Sequence, residues 1–298
     1  GKHVLCEKPL ANTAEEAQRM AEAADAAAAK GVKAMVGFTY RRVPAATFAR
    51  ELVRQGFVGT VRHVRGEYLQ DWLSDPETPL TWRMQKDKAG SGSLGDIGAH
   101  AIDMAQFITG ETLTEVSGTL ETFVKERPLL GERVGLGGTA SGERGSVTVD
   151  DAALFTARLS GGGLGAFAAT RFATGRKNAL RIEISGDRGA ISFDLEHMNR
   201  LGLYDATAPG DRQGFTDVIV TEPSHPYVEA WWPAGHMLGY EHAFSHQVRD
   251  LVVAIAEGQQ PTPSFADGWQ VQRVLAAVER SAQSGSAWTS TSASSTDR

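Results

Sequence analysis

The chain of 298 residues has 30 Lys and Arg against 36 Asp and Glu, a formal net charge of −6 at pH 7, and is 41% hydrophobic. This length favours about two domains, and the composition is typical of a globular protein. The acidic balance argues against a nucleic-acid partner, and no apolar run approaches the ~18 residues that would span a bilayer. The single cysteine, Cys6, cannot form an internal disulfide, which favours a cytoplasmic location.

The first residues predict a βαβ unit. His3–Cys6 is typical of a short buried strand, and a helix capped by Asn12 or Thr13 is expected to run to Lys30. A second buried strand is predicted over 32–38. Because strand, helix and strand with short links require a parallel sheet, and two parallel strands cannot cover both of their faces, we expect this unit to be the end of a larger α/β domain whose first part is missing.

The remaining chain predicts a mixed α/β region. A helix is expected over Pro44–Gln55, a strand over Val61–Leu69 and a helix over Asp96–Ile108, before a mainly stranded region. Gly131–Gly145 is glycine-rich and is predicted to be a loop that serves as a lid or an oligomer contact. The Ser- and Thr-rich residues 289–298 are expected to be disordered. The further strands are predicted over 116–125, 150–159, 163–172, 179–186 and 190–194, and two helices over 242–257 and 268–281.

Two segments match glycine patterns of dinucleotide-binding loops, at 90–95 and 161–166. Such a loop follows a buried strand and opens a helix. The first segment follows polar residues instead of a strand, and the second lies between two predicted strands and is typical of a hairpin turn. We therefore expect neither to cradle a pyrophosphate.

Asp96 and His100 form the pair with the most evident chemistry. On an α-helix their spacing places both side chains on one face, which Asp103 continues. A carboxylate beside an imidazole fixes its tautomer and stabilises its charged form, as a general base requires. The alternative is an ordinary Asp–His pair near a helix start. Lys8, at the carboxyl end of the first strand, is either a proton donor at a site or a solvated loop cation.

The chain resembles the Gfo/Idh/MocA family of sugar and polyol oxidoreductases. The segments that carry the resemblance are Glu7-Lys8-Pro9, residues 37–42, Trp82-Arg83 and residues 90–103. Four further segments, 68–72, 80–83, 89–92 and 263–268, are similar to a subgroup that oxidises an anhydrosugar.

The resemblance implies a fold and its boundaries. We expect residues 1–38 to be the C-terminal remnant of a dinucleotide-binding Rossmann domain, with roughly 90 residues absent before them. Residues 39–288 would form a substrate-binding and oligomerisation domain with a large, mostly antiparallel open sheet. That sheet would join the subunits of a homodimer or homotetramer.

The resemblance also implies site residues. The cofactor would be NAD, with NADP possible, and the substrate a sugar, anhydrosugar or polyol. Hydride would leave a carbinol carbon while His100 takes the hydroxyl proton, Lys8 stabilises the charge that develops on oxygen, and Asp96 orients His100. Catalysis would use Lys8, Asp96 and His100, substrate binding Tyr40, Gln70, Trp82 and His236, and cofactor binding Glu7, Lys8 and Arg83.

Two other functions stay open at this point. One is a non-catalytic sugar-binding or scaffolding module; the other, disfavoured because it gives Lys8 and His100 no role, is a sugar hydrolase that uses Asp96 or Asp103 with a second carboxylate. His242 and His246 have a spacing that could place them on one metal, but we expect no metal. Arg41 and Arg42 could be surface charges or could bind an anion.

Overall fold

The computed structural model describes residues 1–134 and 137–292. Within these residues, no helix is both long and apolar enough to cross a membrane. The helices are α1 (Ala14–Ala28), α2 (Pro44–Arg54), α3 (Lys86–Ala89), α4 (Ala99–Thr109), α5 (Tyr240–Ala256) and α6 (Phe265–Gln283). The strands are β1 (Val4–Cys6), β2 (Ala34–Val36), β3 (Val61–Leu69), β4 (Leu113–Glu121), β5 (Glu126–Val134), β6 (Gly137–Ser146), β7 (Ala152–Leu159), β8 (Leu164–Thr170), β9 (Ala179–Gly186), β10 (Gly189–Asp194), β11 (Arg200–Asp205), β12 (Thr216–Ile219) and β13 (Thr289–Ser290).

The predicted βαβ unit is confirmed, but its first strand is not buried as predicted, since Val4 and Leu5 are exposed. β1 pairs in parallel with β2, with Val4 opposite Ala34. Thr13 caps α1: its Oγ1 accepts a hydrogen bond from the Glu16 backbone N–H at 3.1 Å, and Glu16 Oε2 accepts from the Thr13 N–H at 3.2 Å. This reciprocal capping satisfies two N–H groups that a helix start leaves free. The unit brings the carboxyl ends of both strands to one edge, where Lys8 follows β1 and Tyr40 follows β2.

The second sheet has nine strands in the order β12-β11-β10-β9-β3-β8-β7-β4-β13. Among the described strands of this sheet, β3 and β8 are the one parallel pair, so the predicted mixed fold with a large, mostly antiparallel sheet is confirmed. Along β7, buried side chains alternate with exposed ones, as on a sheet covered on one face. Helices α4 and α6 cover that face of the sheet, α4 over β3, β8 and β9 and α6 over β4, and the opposite face exposes apolar side chains such as Leu154, which is 58% exposed.

Two predicted irregular segments contain strands. Most of 131–145, predicted to be a loop, belongs to the antiparallel hairpin of β5 and β6; residues 135–136 lie outside the described part of the chain. At Gly145 a Cβ would lie 2.7 Å from the end of the Leu129 side chain and 2.8 Å from that of Leu80, so a larger residue would need both leucines to shift. Composition alone thus suggests a loop where backbone pairing forms a hairpin.

The first residues of the segment 289–298, which was predicted to be disordered, form a short strand. Thr289 and Ser290 pair with β4, and Thr291 Oγ1 donates a hydrogen bond to the Leu113 carbonyl at 2.8 Å. These hydroxyl and backbone hydrogen bonds hold a polar segment in place. Its sequence has no apolar pattern from which a strand could be predicted. Residues 293–298 lie outside the described residues.

The two arginines that the sequence left undecided form internal ion pairs. Arg41 contacts Asp103 twice, with Nε at 2.9 Å from Oδ2 and Nη2 at 2.5 Å from Oδ1, and both side chains are buried. Arg42 Nε lies 3.1 Å from Asp250 Oδ2. Asp103 therefore links α4 to the turn that carries Tyr40. Its charged partner is Arg41, whereas Asp96 pairs with other residues.

We expect Asp103→Ala to destabilise the fold by about 3–5 kcal/mol, because it leaves the Arg41 guanidinium charged, buried and without its main partner. Urea unfolding followed by circular dichroism measures the effect. Asp211→Ala, which removes an exposed carboxylate 3.9 Å from Arg212, is the control and should change the midpoint little. An Asp103→Ala midpoint as close to wild type as the control's would show that the buried pair does not support the fold.

Candidate active site

Lys8 and Asp96 meet at the carboxyl edge of the small sheet. Lys8 Nζ donates to the Asp96 backbone carbonyl at 2.5 Å and lies 3.4 Å from Asp96 Oδ1. The lysine side chain is only 15% exposed. Burial lowers the pKa of Lys8 below its ordinary 10.5, although the charge of Asp96 opposes that shift. The structure thus brings together two of the predicted catalytic residues, which are far apart in sequence.

Asp96 does not lie on the α-helix that the sequence predicts. Residues Leu94–Gly98 form a π-helical turn, and α4 begins only at Ala99. A π turn closes from residue i to i+5 and not to i+4, so the α-helical geometry from which the pair was predicted does not apply at Asp96. Among the described residues the structure shows no hydrogen bond between Asp96 and His100. Orientation of His100 by Asp96 therefore stays a prediction, which no hydrogen bond in the described part of the chain supports.

The glycine-rich stretch before Asp96 is shaped by Asp150. Asp150 Oδ1 accepts from the Gly92 N–H at 2.7 Å, and Oδ2 accepts from the Leu94 N–H at 2.8 Å and from Ser93 Oγ at 2.7 Å. A Cβ on Gly92 would lie 1.8 Å from the Asp150 carbonyl oxygen, so only glycine permits this approach. The N–H groups that could have held an anion are occupied, and they fix the start of the π turn instead.

The charge of Asp96 is held by an arginine that the sequence analysis missed. Arg171 Nη2 lies 3.2 Å from Asp96 Oδ2, and its side chain is 1% exposed. Burial alone would raise the pKa of Asp96, but the charges of Arg171 and then Lys8 outweigh it and leave the pKa below its usual value. Asp96 is therefore a carboxylate with a cation at each oxygen.

His100 lies in an aromatic pocket. Its ring centroid is 4.4 Å from that of Tyr40, 5.8 Å from that of Tyr68 and 6.1 Å from that of Phe38. Burial, and then the charge of Lys8, lower the pKa of His100 well below 6.5. At neutral pH the imidazole is therefore uncharged, which is the form that can accept a proton.

A chain of polar groups extends from the His100 pocket. The hydroxyls of Tyr40 and Tyr68 are 2.9 Å apart, Tyr68 donates to Asn178 Oδ1 at 2.6 Å, and Gln70 Nε2 donates to the same oxygen at 2.9 Å. Tyr240 adds a hydroxyl 3.4 Å from that of Tyr40. The predicted Tyr40 and Gln70 thus belong to one network of donors and acceptors, which Tyr68 and Asn178 complete.

Sequence reasoning missed Asn178 because its position depends on strand register. β3 and β9 pair with Leu69 opposite Ala179, so Gln70 and Asn178 follow and precede paired residues at one sheet edge. Arg171 reaches the same edge because β8 is parallel to β3, with Leu69 opposite Thr170. Had these pairings been known, the carboxyl end of β8 would have pointed to Arg171, and the antiparallel register of β3 and β9 to Asn178.

Trp82 borders an open cleft beside Lys8. Trp82 is 50% exposed, and the Arg83 guanidinium lies 4.5 Å from its ring centroid. The cleft has a volume of about 650 Å³ and is lined by residues 8–12, Trp82 and part of α1. Glu7 lies next to Lys8 in the chain and is exposed.

The histidines near α5 fulfil other roles. His236 is exposed, with Nδ1 2.8 Å from the Pro233 carbonyl oxygen, and it does not join the described polar network. His246 donates from Nδ1 to the Arg42 carbonyl at 3.0 Å and accepts from Trp231 Nε1 at 2.7 Å, so both of its nitrogens have partners. In the part of the chain that the structure describes, no group of three or more His, Cys, Asp and Glu side chains could hold a metal ion.

Comparison with known proteins gives this arrangement a family. Residues 1–38 match the model described as "Oxidoreductase family, NAD-binding Rossmann fold", and residues 47–192 match "GFO/IDH/MocA C-terminal domain". Levoglucosan dehydrogenase of Pseudarthrobacter phenanthrenivorans is 44% identical over 286 residues, which cover 95% of this chain and 72% of that protein.

Solved structures agree. An oxidoreductase domain protein from Kribbella flavida superposes with a TM-score of 0.93 at 65% identity, covering 98% of this chain and 75% of the other. Levoglucosan dehydrogenase in complex with NADH and L-sorbose superposes with a TM-score of 0.90 at 41% identity, covering 98% and 74%. The chain therefore belongs to the Gfo/Idh/MocA family of NAD-binding oxidoreductases.

Proposed function

We propose that this protein is an NAD-dependent dehydrogenase that oxidises a carbinol carbon of an anhydrosugar such as levoglucosan, or of a closely similar sugar. The observation that carries the proposal is the juxtaposition of a neutral, buried His100 with Lys8 and a row of hydroxyl and amide groups. The similarity to levoglucosan dehydrogenase supports the substrate class. Residues 1–38 would belong to the cofactor domain and residues 39–288 to the substrate domain.

The residues beside Lys8 fit a nicotinamide dinucleotide. The cleft offers an exposed aromatic ring, Trp82, with the Arg83 cation beside it, next to the half-buried Lys8. An aromatic face suits a flat ring, and a guanidinium suits a pyrophosphate or another anionic group. Glu7, Lys8 and Arg83 would contact the cofactor, which supplies the hydride acceptor when bound. These three residues would accept NAD and NADP alike.

His100 would accept the proton of the substrate hydroxyl. Oxidation of an alcohol develops negative charge on its oxygen as hydrogen leaves carbon, so a nearby base that takes the hydroxyl proton lowers the barrier. The imidazole is uncharged at neutral pH and has no hydrogen-bond partner among the described side chains. One ring nitrogen is therefore able to accept the proton.

Lys8 would stabilise the same oxygen. Its Nζ is held by the Asp96 carbonyl and carboxylate, and its side chain is largely removed from water. A fixed cation in a site of low dielectric interacts with a developing negative charge more strongly than a solvated one. Asp96 would act through Lys8 and through hydrogen bonds to substrate, since no hydrogen bond joins it to His100 among the described residues.

Substrate hydroxyls would be bound by Tyr40 and Gln70, with Tyr68 and Asn178 behind them. Burial raises the pKa of the Tyr40 and Tyr68 hydroxyls, so both keep their protons and can donate as well as accept. A sugar presents alternating donors and acceptors that match such a row. Trp82 would cover part of the sugar face, whereas His236 would need to move from its present contact to reach it.

The experiment that tests this function is a survey of substrates with the full-length protein. Reduction of NAD by levoglucosan, other anhydrosugars, free hexoses and polyols is followed by NADH absorbance. We expect the highest kcat/KM for levoglucosan or a close analogue. Sugar binding by calorimetry without any cofactor reduction would instead favour a non-catalytic sugar-binding module.

The pH dependence of the reaction follows from the two buried groups. Because His100 must be neutral and its pKa lies well below 6.5, kcat/KM for oxidation should fall only on the acid side of 6.5. Because Lys8 must be charged and its pKa is lowered, a second decline should begin below 10.5. A kcat/KM profile whose acid limb lies at or above 6.5 would show that another group limits the reaction.

We also propose that copies of the chain associate through the exposed face of the nine-stranded sheet, as a homodimer or homotetramer. Apolar side chains on that face, including Leu154 and Leu164, support this. Light scattering should give a mass that Leu154→Glu reduces. A monomeric wild-type protein would contradict the proposal.

A further inference from the structure

Arg171 is a buried cation that the reaction scheme leaves without a role. It follows β8 directly, and its Nη2 lies 3.2 Å from Asp96 Oδ2, whereas Lys8 Nζ lies 3.4 Å from Asp96 Oδ1. The Asp96 carboxylate is thus placed between two cations. Within the described residues, Asp96 is the only carboxylate within 4.0 Å of the Arg171 guanidinium.

The other surroundings of Arg171 do not account for its burial. Its guanidinium carbon is 5.5 Å from the Trp72 ring centroid, and Nη1 makes a long hydrogen bond of 3.4 Å to the Arg83 carbonyl. Its Nε is buried without a hydrogen-bond partner. Removing an arginine from water is costly unless a partner of opposite charge compensates, and Asp96 is the group that does so.

The arrangement determines which group at the site can take a proton. An ionised carboxylate between two cations is a weak base, because both cations favour the charged form. His100 has the opposite environment, since it is neutral and has no carboxylate in hydrogen-bond contact. Without Arg171, Asp96 would lose the stronger of the charges that keep it ionised and would compete with His100 for the proton.

We propose that Arg171 is a positioning residue: it holds Asp96 ionised and directed toward Lys8, so that the substrate proton goes to His100 and not to Asp96. This inference rests on the proposed function for its catalytic consequence. The hydroxyl O–H bond breaks, the proton binds an imidazole nitrogen of His100, and Asp96, Lys8 and Arg171 keep their charges throughout.

Arg127 offers a matched control. Like Arg171 it is fully buried, and its guanidinium donates to the backbone carbonyls of Leu73 and Asp75, each at 2.7 Å. It also lies near an aromatic ring, 5.6 Å from the centroid of Phe172. Arg127→Gln therefore removes a buried arginine with little direct effect on Asp96, and it reports what general destabilisation does to the site.

The test is a carbon-13 NMR titration of the Asp96 carboxyl, assigned by its loss in Asp96→Asn. In Arg171→Gln the pKa of Asp96 should rise by about one unit or more, as expected on loss of an adjacent opposite charge. Arg127→Gln should leave it as in wild type. In the full-length enzyme, Arg171→Gln should move the acid limb of kcat/KM to higher pH. Arg171→Lys keeps the charge, so its acid limb should lie close to that of wild type.

An Asp96 pKa that is the same in Arg171→Gln and wild type would overturn the inference, whatever happens to activity. If Arg171→Gln does not fold, Lys8→Met decides instead: the pKa of Asp96 should stay below its ordinary 3.8, because Arg171 still holds it, and a value above that would overturn the inference. The titration needs no substrate, so it remains decisive even if the protein oxidises no sugar, which would count against the proposed function alone.

Discussion

His100→Ala in the full-length protein should lower kcat for sugar oxidation by about 10²–10⁴-fold, the usual contribution of a general base. The imidazole is neutral and enclosed by Tyr40, Tyr68 and Phe38. Removing it leaves no other neutral nitrogen base among the described residues at this position. The dissociation constant of NADH, measured by fluorescence, should change little, because the cleft beside Trp82 lacks His100.

His197→Ala is the matched control, since His197 is an exposed histidine in the short 3₁₀ turn between β10 and β11, with Nδ1 3.5 Å from Asp194. Its activity should equal that of wild type. If His100→Ala weakened NADH binding and turnover to the same degree, His100 would be acting in cofactor binding or in folding, and its assignment as the base would be wrong.

Lys8→Met should lower kcat by about 10²–10³-fold, because the fixed cation that stabilises the developing oxyanion is lost while the aliphatic stem is kept. A second effect separates this variant from a general loss of activity. The charge of Lys8 helps to lower the pKa of His100, so in Lys8→Met the acid limb of kcat/KM should move toward higher pH. Both are obtained from one set of steady-state pH profiles.

Lys125→Met, which alters an exposed lysine 3.3 Å from Glu121 Oε1, serves as the control. Unchanged kcat in Lys8→Met would exclude an electrostatic role for Lys8. A fall in kcat without any movement of the acid limb would mean that His100 does not titrate in the kinetically relevant range.

Much of the fold follows from local patterns in the sequence. The capping residues before α1, the apolar stretches of β1 and β2 and the alternation along β3 are each determined within one element. Short turns and caps operate over a few residues, so they can be identified without knowledge of the rest of the chain. The position of Lys8 at the candidate site could be anticipated because it follows a parallel strand, at the edge where ligands bind in open α/β sheets.

The features that could not be predicted depend on distant partners. The π turn at Leu94–Gly98 is set by Asp150, which takes up the N–H groups of Gly92 and Leu94. Because that contact is invisible in sequence, the Asp96–His100 spacing suggested a direct pair on an α-helix, whereas Asp96 lies on the π turn and the described residues show no hydrogen bond between the two. Arg171 and Asn178 were missed for the same reason, since strand register alone brings them to the site.

The predicted loop over 131–145 and the predicted disordered tail show a second limit. Composition indicates whether a segment can form a core, but β5, β6 and β13 form little core and are fixed by backbone pairing. Glycine, serine and threonine are compatible with such pairing when the partner strand is already in place. Sequence patterns based on apolar periodicity therefore overlook these edge elements.

The central claim, that hydrogen leaves a carbinol carbon of the sugar and is transferred to the cofactor, is tested most directly with levoglucosan deuterated at its carbinol carbons. After incubation of the full-length protein with NAD, mass spectrometry of the reduced cofactor measures the deuterium. We expect one deuterium per cofactor reduced and a slower rate than with unlabelled sugar. Reduced cofactor without deuterium, or bound sugar with no reduced cofactor at all, would contradict the account.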